Sequence, residues 1–211
     1  MDTETREIVA SQPPAHRLSY DEFLDWCDED TLAEWVDGEV QMTSPASLRH
    51  QRIGYFLQNI MGHWVEDREL GEIITPPFQM RLTVPGPRGR EPDILFVARE
   101  HRERLRATYL DGPADLLVEI VSPESISRDR GEKFVEYEAA GVSEYWLIDP
   151  DRRQAEFYQR DSTGHYQLAL GGAAGTYVSP LLAGFSLPVA WLWEEPLPPL
   201  RDALRQLGIL P

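Results

Sequence analysis

Cysteine and lysine are both nearly missing from this sequence. Cys27 stands alone among 211 residues, which excludes an internal disulfide and a zinc site built from clustered cysteines. Of the 20 basic residues 19 are arginine, and Lys133 is the single lysine. Arginine keeps its proton in a protein, whereas lysine is a compact charge whose pKa can move. A position that admits only lysine is one reading of that exception, and chance survival of a surface lysine is the other. Composition does not separate them. No apolar run approaches the roughly 20 residues of a membrane span. The polar N-terminus, MDTETREIVASQPPAHR, has no apolar signal core. The expectation is a soluble, cytoplasmic protein. H-E-x-x-H and G-x-S-x-G are absent, and GGAAG (171–175), with no convincing helix after it, reads as a turn rather than a phosphate loop. There is no internal repeat.

Acid is what the chain has in excess. Its net charge is -16, so it repels nucleic acid at long range, and any such partner must meet a local basic patch. The candidates are Arg88 with Arg90, the arginines of REHRERLR (99–106), and Arg128 with Arg130. Acids interleave the second group, which reads as solvated surface. Hydrophobic residues make up 42% of the chain, enough for one sizeable core. The expected organisation is a flexible tail over 1–16, one domain over 17–195 and a peripheral segment over 196–211.

Periodicity and turn signals divide the domain. Ser19 and Glu22 form a capping box that opens a short helix reaching about Asp28. AEWVDGEVQM predicts a hairpin turning at Asp37-Gly38. Ile53, Leu57, Ile60, Met61 and Trp64 share one face of a helix over 48–66. EIITPPFQMRLTV predicts a strand broken by Pro-Pro, and PGPRGREP a loop. PDILFV (92–97), ADLLVEIV (114–121) and SEYWLIDP (143–150) predict interior strands, with a long polar connection over 98–114. RDRGEKFVEYEAAG predicts a helix with Asp129 as a possible cap and Gly141 as its stop. AEFYQR and HYQLAL predict a second hairpin. The order implies a mixed α/β domain, with the strands on either side of the 128–141 helix parallel and joined by a right-handed crossover.

Within LLVEIVSPES (116–125), Glu119 sits among residues expected to be buried. A carboxylate withdrawn from water needs a compensating partner or it protonates. If the strands of Asp93 and Glu119 run antiparallel, the start of one lies beside the end of the other, and both acids reach one edge of the sheet. Lys133 starts the next helix, at the carboxyl end of the Glu119 strand, which is the usual ligand side. Paired carboxylates resist ionising together, and a divalent cation resolves the conflict. Magnesium, or manganese in its place, suits two carboxylates, a peptide carbonyl such as that of Ile120, and water. Such an ion polarises a phosphoryl oxygen and activates water, with Lys133 placed to orient that water or to stabilise charge on the phosphate. Bland readings stand beside this one: Asp93 capping a turn, and Glu119 paired with a core arginine.

PD (92–93), LLVEIVSPES, RDRGEKFVEYEAAGVSEYWLIDP (128–150) and DGEVQMTSPASLRH (37–50) together resemble a bacterial family of putative restriction endonucleases. That family is placed in the PD-(D/E)XK nuclease superfamily, and the resemblance runs from about residue 18 to 190. It implies a restriction-endonuclease-like core, with hairpins added at both ends, and magnesium-dependent hydrolysis of DNA. Asp93 and Glu119 match the motif acids, and Ile120 supplies the carbonyl. The motif would place lysine at 121, where this chain has Val121; the matching amine is Lys133, from the next helix. Glu39, with Glu34 as its rival, could join the metal site, and His50 could contact phosphate or relay a proton. A homodimer through the apolar stretch 181–197 is a further expectation. Two other functions remain open: a nuclease fold kept for binding a partner protein or nucleic acid, and a metal site acting on a nucleotide or small phosphoester.

Overall fold

A computed structural model describes residues 13–14, 16–28, 31–42 and 45–211 of the chain. The tail expected over 1–16 falls almost wholly outside them. In chain order the elements are α1 (Tyr20–Trp26), the hairpin β1 (Ala33–Val36) and β2 (Glu39–Met42), α2 (Leu48–Asp67), β3 (Gly71–Ile74), β4 (Gln79–Leu82), β5 (Arg88–Arg90) and β6 (Ile94–Ala98). A 3-10 turn and β7 (Tyr109–Asp111) lead to β8 (Leu116–Ile120). After a π-helical turn over Arg128–Glu132 come α3 (Lys133–Ala140), β9 (Glu144–Asp149), the hairpin β10 (Gln154–Arg160) and β11 (Tyr166–Gly172), the hairpin β12 (Thr176–Ser179) and β13 (Phe185–Pro188), and α4 (Leu200–Gln206).

The central sheet has six strands in the order β11-β10-β9-β8-β6-β3. β8 and β9 pair in parallel across α3, and β6 joins β8 antiparallel, as the pattern predicts. Alternation sorts the side chains to two covered faces. Ile94, Phe96, Leu116, Val118 and Ile120 meet the apolar stripe of α2 and the C-terminal elements. Leu95, Val97, Leu117 and Val121 face the other way, where Tyr137 of α3 and Met80 and Leu82 of a second sheet cover them.

That second sheet, ordered β2-β1-β5-β4-β7, corrects three expectations. The strand interrupted by Pro76-Pro77 is two strands, and each joins a different sheet. The stretch read as the loop PGPRGREP contains β5, which lies in the middle of the second sheet. The polar connection over 98–114 contributes β7. Gly89 in β5 explains the disguise: a Cβ there would stand 2.6 Å from the ring of Tyr20, so this glycine admits α1 rather than marking a turn.

Helix ends follow the sequence closely. The Ser19–Glu22 capping box is present, and Gly141 closes α3 at φ 93°. Asp129 does not cap; it is buried in the turn before α3. Toward the C-terminus, Ala203, Leu204 and Leu207 enter the main core, so the segment over 196–211 is less peripheral than expected. Leu182, Phe185, Leu187, Val189 and Leu192 of the stretch expected at a dimer interface are buried within the chain itself, while Leu181, Trp193 and Leu197 are only partly covered.

Candidate active site

Strand register builds the site. Ile94 stands opposite Val118, so one step outward Asp93 comes beside Glu119. The Ile120 N–H donates to Asp93 Oδ2 at 2.6 Å, which pins the acid to the end of β8. His50, in the first turn of α2, places Nε2 3.2 Å from Asp93 Oδ1. Burial alone would lower the pKa of this imidazole, but Asp93 and a backbone hydrogen bond to Ile120 raise it.

Glu119 shares the face of β8 that carries Leu117 and Val121, and so points toward α3. Helical spacing puts Asp129, Lys133 and Tyr137 on one stripe facing it. Lys133 Nζ lies 2.9 Å from Glu119 Oε1, 3.0 Å from Glu34 Oε1 and 3.4 Å from Asp129 Oδ1. The Tyr137 hydroxyl donates to the same Glu119 oxygen at 2.8 Å. Glu34 arrives from β1 of the second sheet, where Ala33 and Trp35 pack on α1 and the residue between them faces the opposite way. The crevice therefore lies at the seam of two sheets.

The structure brings Asp93, Glu119, Ile120, Lys133 and His50 together, and adds Glu34. It does not bring Glu39 to the seam. That side chain is 64% exposed on β2 and pairs with Arg17 at 3.2 Å. The two acids lie on successive arms of one hairpin, and only the β1 arm pairs with β5. Three further residues were not read as catalytic or metal-binding, although Arg90 and Arg128 stood among the candidate basic patches. Arg90 is fully buried, clasps Glu136 of α3 through Nε and Nη2, and donates through Nη1 to Glu34 at 2.8 Å. Glu91 and Arg128 also line the crevice. The dipeptide Glu91-Pro92 before Asp93 was a visible hint for the first.

Charge is unevenly shared here. Burial would raise Glu34, but Lys133 and Arg90 beside it hold it down at about 2. Glu119 has only its share of one ammonium and a neutral hydroxyl. Burial pushes it up to about 8 against the pull of Lys133, with Asp129, Asp93 and Glu34 adding to the rise. Burial likewise pushes Glu91 up to about 7, with Glu34 adding. Lys133 goes well above its ordinary value; burial opposes this, and Glu119, Glu34 and Asp129 outweigh it. Lys133 is therefore a fixed positive charge near neutral pH, not a base.

Among the described residues, no three His, Cys, Asp or Glu side chains form a ready metal cage. The donors on offer are two carboxylates and the Ile120 carbonyl, beside a cavity of about 170 Å³. Hard oxygens in that number fit magnesium, which keeps waters for its remaining positions.

A mixed sheet with acids converging at the end of its central strands belongs to the nuclease-like α/β folds. The chain is a member of the Uma2 family, described as putative restriction endonucleases, whose model matches residues 20–190. Its fold is shared with a crystal structure of a putative nuclease belonging to DUF820 from Anabaena variabilis. The TM-score is 0.69 at 17% identity, covering 82% of this chain and 96% of the other. No curated protein matches the chain. No helix among the described residues is long and apolar enough to cross a membrane.

Proposed function

We propose that the protein is a magnesium-dependent endonuclease that hydrolyses DNA phosphodiester bonds at the Asp93–Glu119 crevice. One observation supports the reading: Asp93, Glu119 and Lys133 line one crevice, with Lys133 bonded to Glu119 and Asp93 held by the N–H of the residue that follows Glu119. Asp93, Glu119 and the Ile120 carbonyl would hold the ion, which supplies Lewis acidity and a more acidic bound water. The protein's own part is positional and electrostatic. Ile120 N–H and His50 orient the two oxygens of Asp93. Lys133 and Tyr137 fix one oxygen of Glu119. Lys133 contributes a permanent charge toward a phosphate.

Burial of Glu119 with too little countercharge is what a cation site needs before its cation arrives, because ion and proton compete for one carboxylate. The test is cleavage of DNA by purified protein in Mg²⁺ or Mn²⁺, with nucleotides and small phosphoesters assayed in parallel. Glu119→Ala and Lys133→Ala should each abolish cutting, and activity that survives both substitutions disposes of the proposal.

One observation favours a second reading, a nuclease fold kept for binding. Lys133 is held by three carboxylates, which restrains it from turning toward a substrate. Calorimetric titration with Mn²⁺ separates the two: heat that disappears in Glu119→Gln supports the enzyme, and no heat with the wild type supports the binding module.

A further inference from the structure

The arginines around the crevice are paired with carboxylates, and Arg128 is the least committed of them. Arg90 is bonded to Glu136 and Glu34. Arg88 is bonded to Glu136 and Asp37. Arg130 reaches Glu156 and Asp149. Among the described residues Arg128 has one ion pair, from Nε to Glu34 Oε2, and it is 3.8 Å long. Among the described residues that Nε, like the Nε of Arg130, is buried without a hydrogen-bond partner, but Arg130 pairs through both of its other nitrogens and Arg128 does not. A guanidinium carries five N–H donors in a planar fork, and leaving a buried donor unmet is unfavourable.

Its position gives the orphan a use. Arg128 borders the 170 Å³ crevice of Asp93, Glu119 and Lys133, and also a groove of about 390 Å³ that runs past Ser47, His50 and Ser122. His50 stands at the same junction but is already paired with Asp93. The crevice wall holds Glu34, Glu91, Asp93, Glu119 and Asp129, a field that turns a phosphodiester away. A strand lying in the groove needs a positive donor that is not already satisfied. Arginine suits the task because its fork matches phosphate oxygens.

We infer that Arg128 receives a non-bridging phosphate oxygen of the bound strand at the junction of groove and crevice. It is a positioning residue that sets the strand's register over Asp93 and Glu119. The inference rests on the nuclease reading and names a substrate contact that reading lacks. The local backbone is suited to it: Arg128 opens the π-helical turn before α3, and such turns recur at functional sites.

The test is binding of a short fluorescent DNA duplex in Ca²⁺, followed by anisotropy over a range of salt concentrations. Wild type, Arg128→Ala, Arg128→Lys and the exposed charge control Arg201→Ala are compared. Losing one phosphate contact should weaken binding about tenfold and reduce the slope of log affinity against log salt by about one. Arg128→Lys should keep the slope, and Arg201→Ala should match wild type. A merely structural role for Arg128 would leave the slope alone. Should Arg128→Ala fail to fold, Arg128→Gln carries the same expectation. If wild type cuts in Mg²⁺ while the neutral Arg128 variants bind with the wild-type slope, this inference alone is overturned. If wild type neither binds nor cuts DNA, the nuclease reading falls and takes the inference with it.

Discussion

Glu119 and Glu144 are both buried carboxylates, on the neighbouring parallel strands β8 and β9, and their surroundings differ in kind. Glu144 accepts four hydrogen bonds. The Tyr177 hydroxyl and Trp146 Nε1 bind one oxygen, and the Ser179 hydroxyl and the Leu181 N–H bind the other. All four donors are neutral, and three come from the C-terminal hairpin region. This acid fastens that region to the sheet, and every partner it needs is in place. Glu119 instead divides one ammonium with Glu34 and Asp129, and its pKa rises. The contrast separates two uses of a buried acid. One whose partners are complete is architecture, and one left short of positive charge is prepared to take an ion.

Substitutions can break the comparison. The largest expected difference is catalytic. Glu119→Ala should lower DNA cleavage by at least about 1,000-fold, because a metal's transition-state stabilisation is worth several kcal/mol. Glu144→Ala should leave the rate per folded molecule near that of wild type. Stability should respond in the opposite order. Glu144→Ala leaves buried donors unmatched and should cost about 3–5 kcal/mol in a denaturant titration. Glu119→Gln replaces a carboxyl whose charge the interior already disfavours with a neutral group of the same shape and should lose far less, or gain.

A smaller effect concerns pH. The Glu119 carboxyl ionises near 4.5 when unfolded and near 8 when folded. The native state therefore holds a proton that the unfolded chain has released. Cation-free protein should lose stability as pH rises through that window, and Mn²⁺ should restore it. Glu34 works with the opposite sign. Its folded value, near 2, lies below its ordinary 4.5, so its contribution, about 3 kcal/mol, is complete above 4.5 and is lost as pH falls toward 2. Melting temperature against pH measures both, and an unchanged upper limb in Glu119→Gln would remove the explanation offered for it. The smallest expected effect is none: Glu39→Ala, at an exposed pair, should alter neither cutting nor melting beyond error.

The sequence made the centre of the site legible for local reasons. The pairing of Asp93 with Glu119 follows from adjacent antiparallel strands, and Lys133 from the order strand, turn, helix. What stayed hidden depends on the second sheet. Glu34 and Glu39 are near-equivalent on paper, because both flank one turn. They part company only because β1, not β2, pairs with β5, and β5 lies in a stretch whose prolines and glycines read as a loop. Arg90 stood out only as part of a basic patch, and its buried pairing with Glu34 and Glu136 was hidden for the same reason. Residues 196–211 gave too short a pattern to reveal that α4 enters the core against α2.

The seam between the sheets has a consequence for how the chain matures. Glu34 and Arg90 come from one layer, Asp93 and Glu119 from another, and Lys133 from the helix between them. A chain still emerging from the ribosome, or one whose layers have not docked, cannot assemble this set of charges. If the crevice cuts DNA as proposed, competence for that chemistry arrives only once both layers have docked, and half-made molecules would be harmless to the DNA around them.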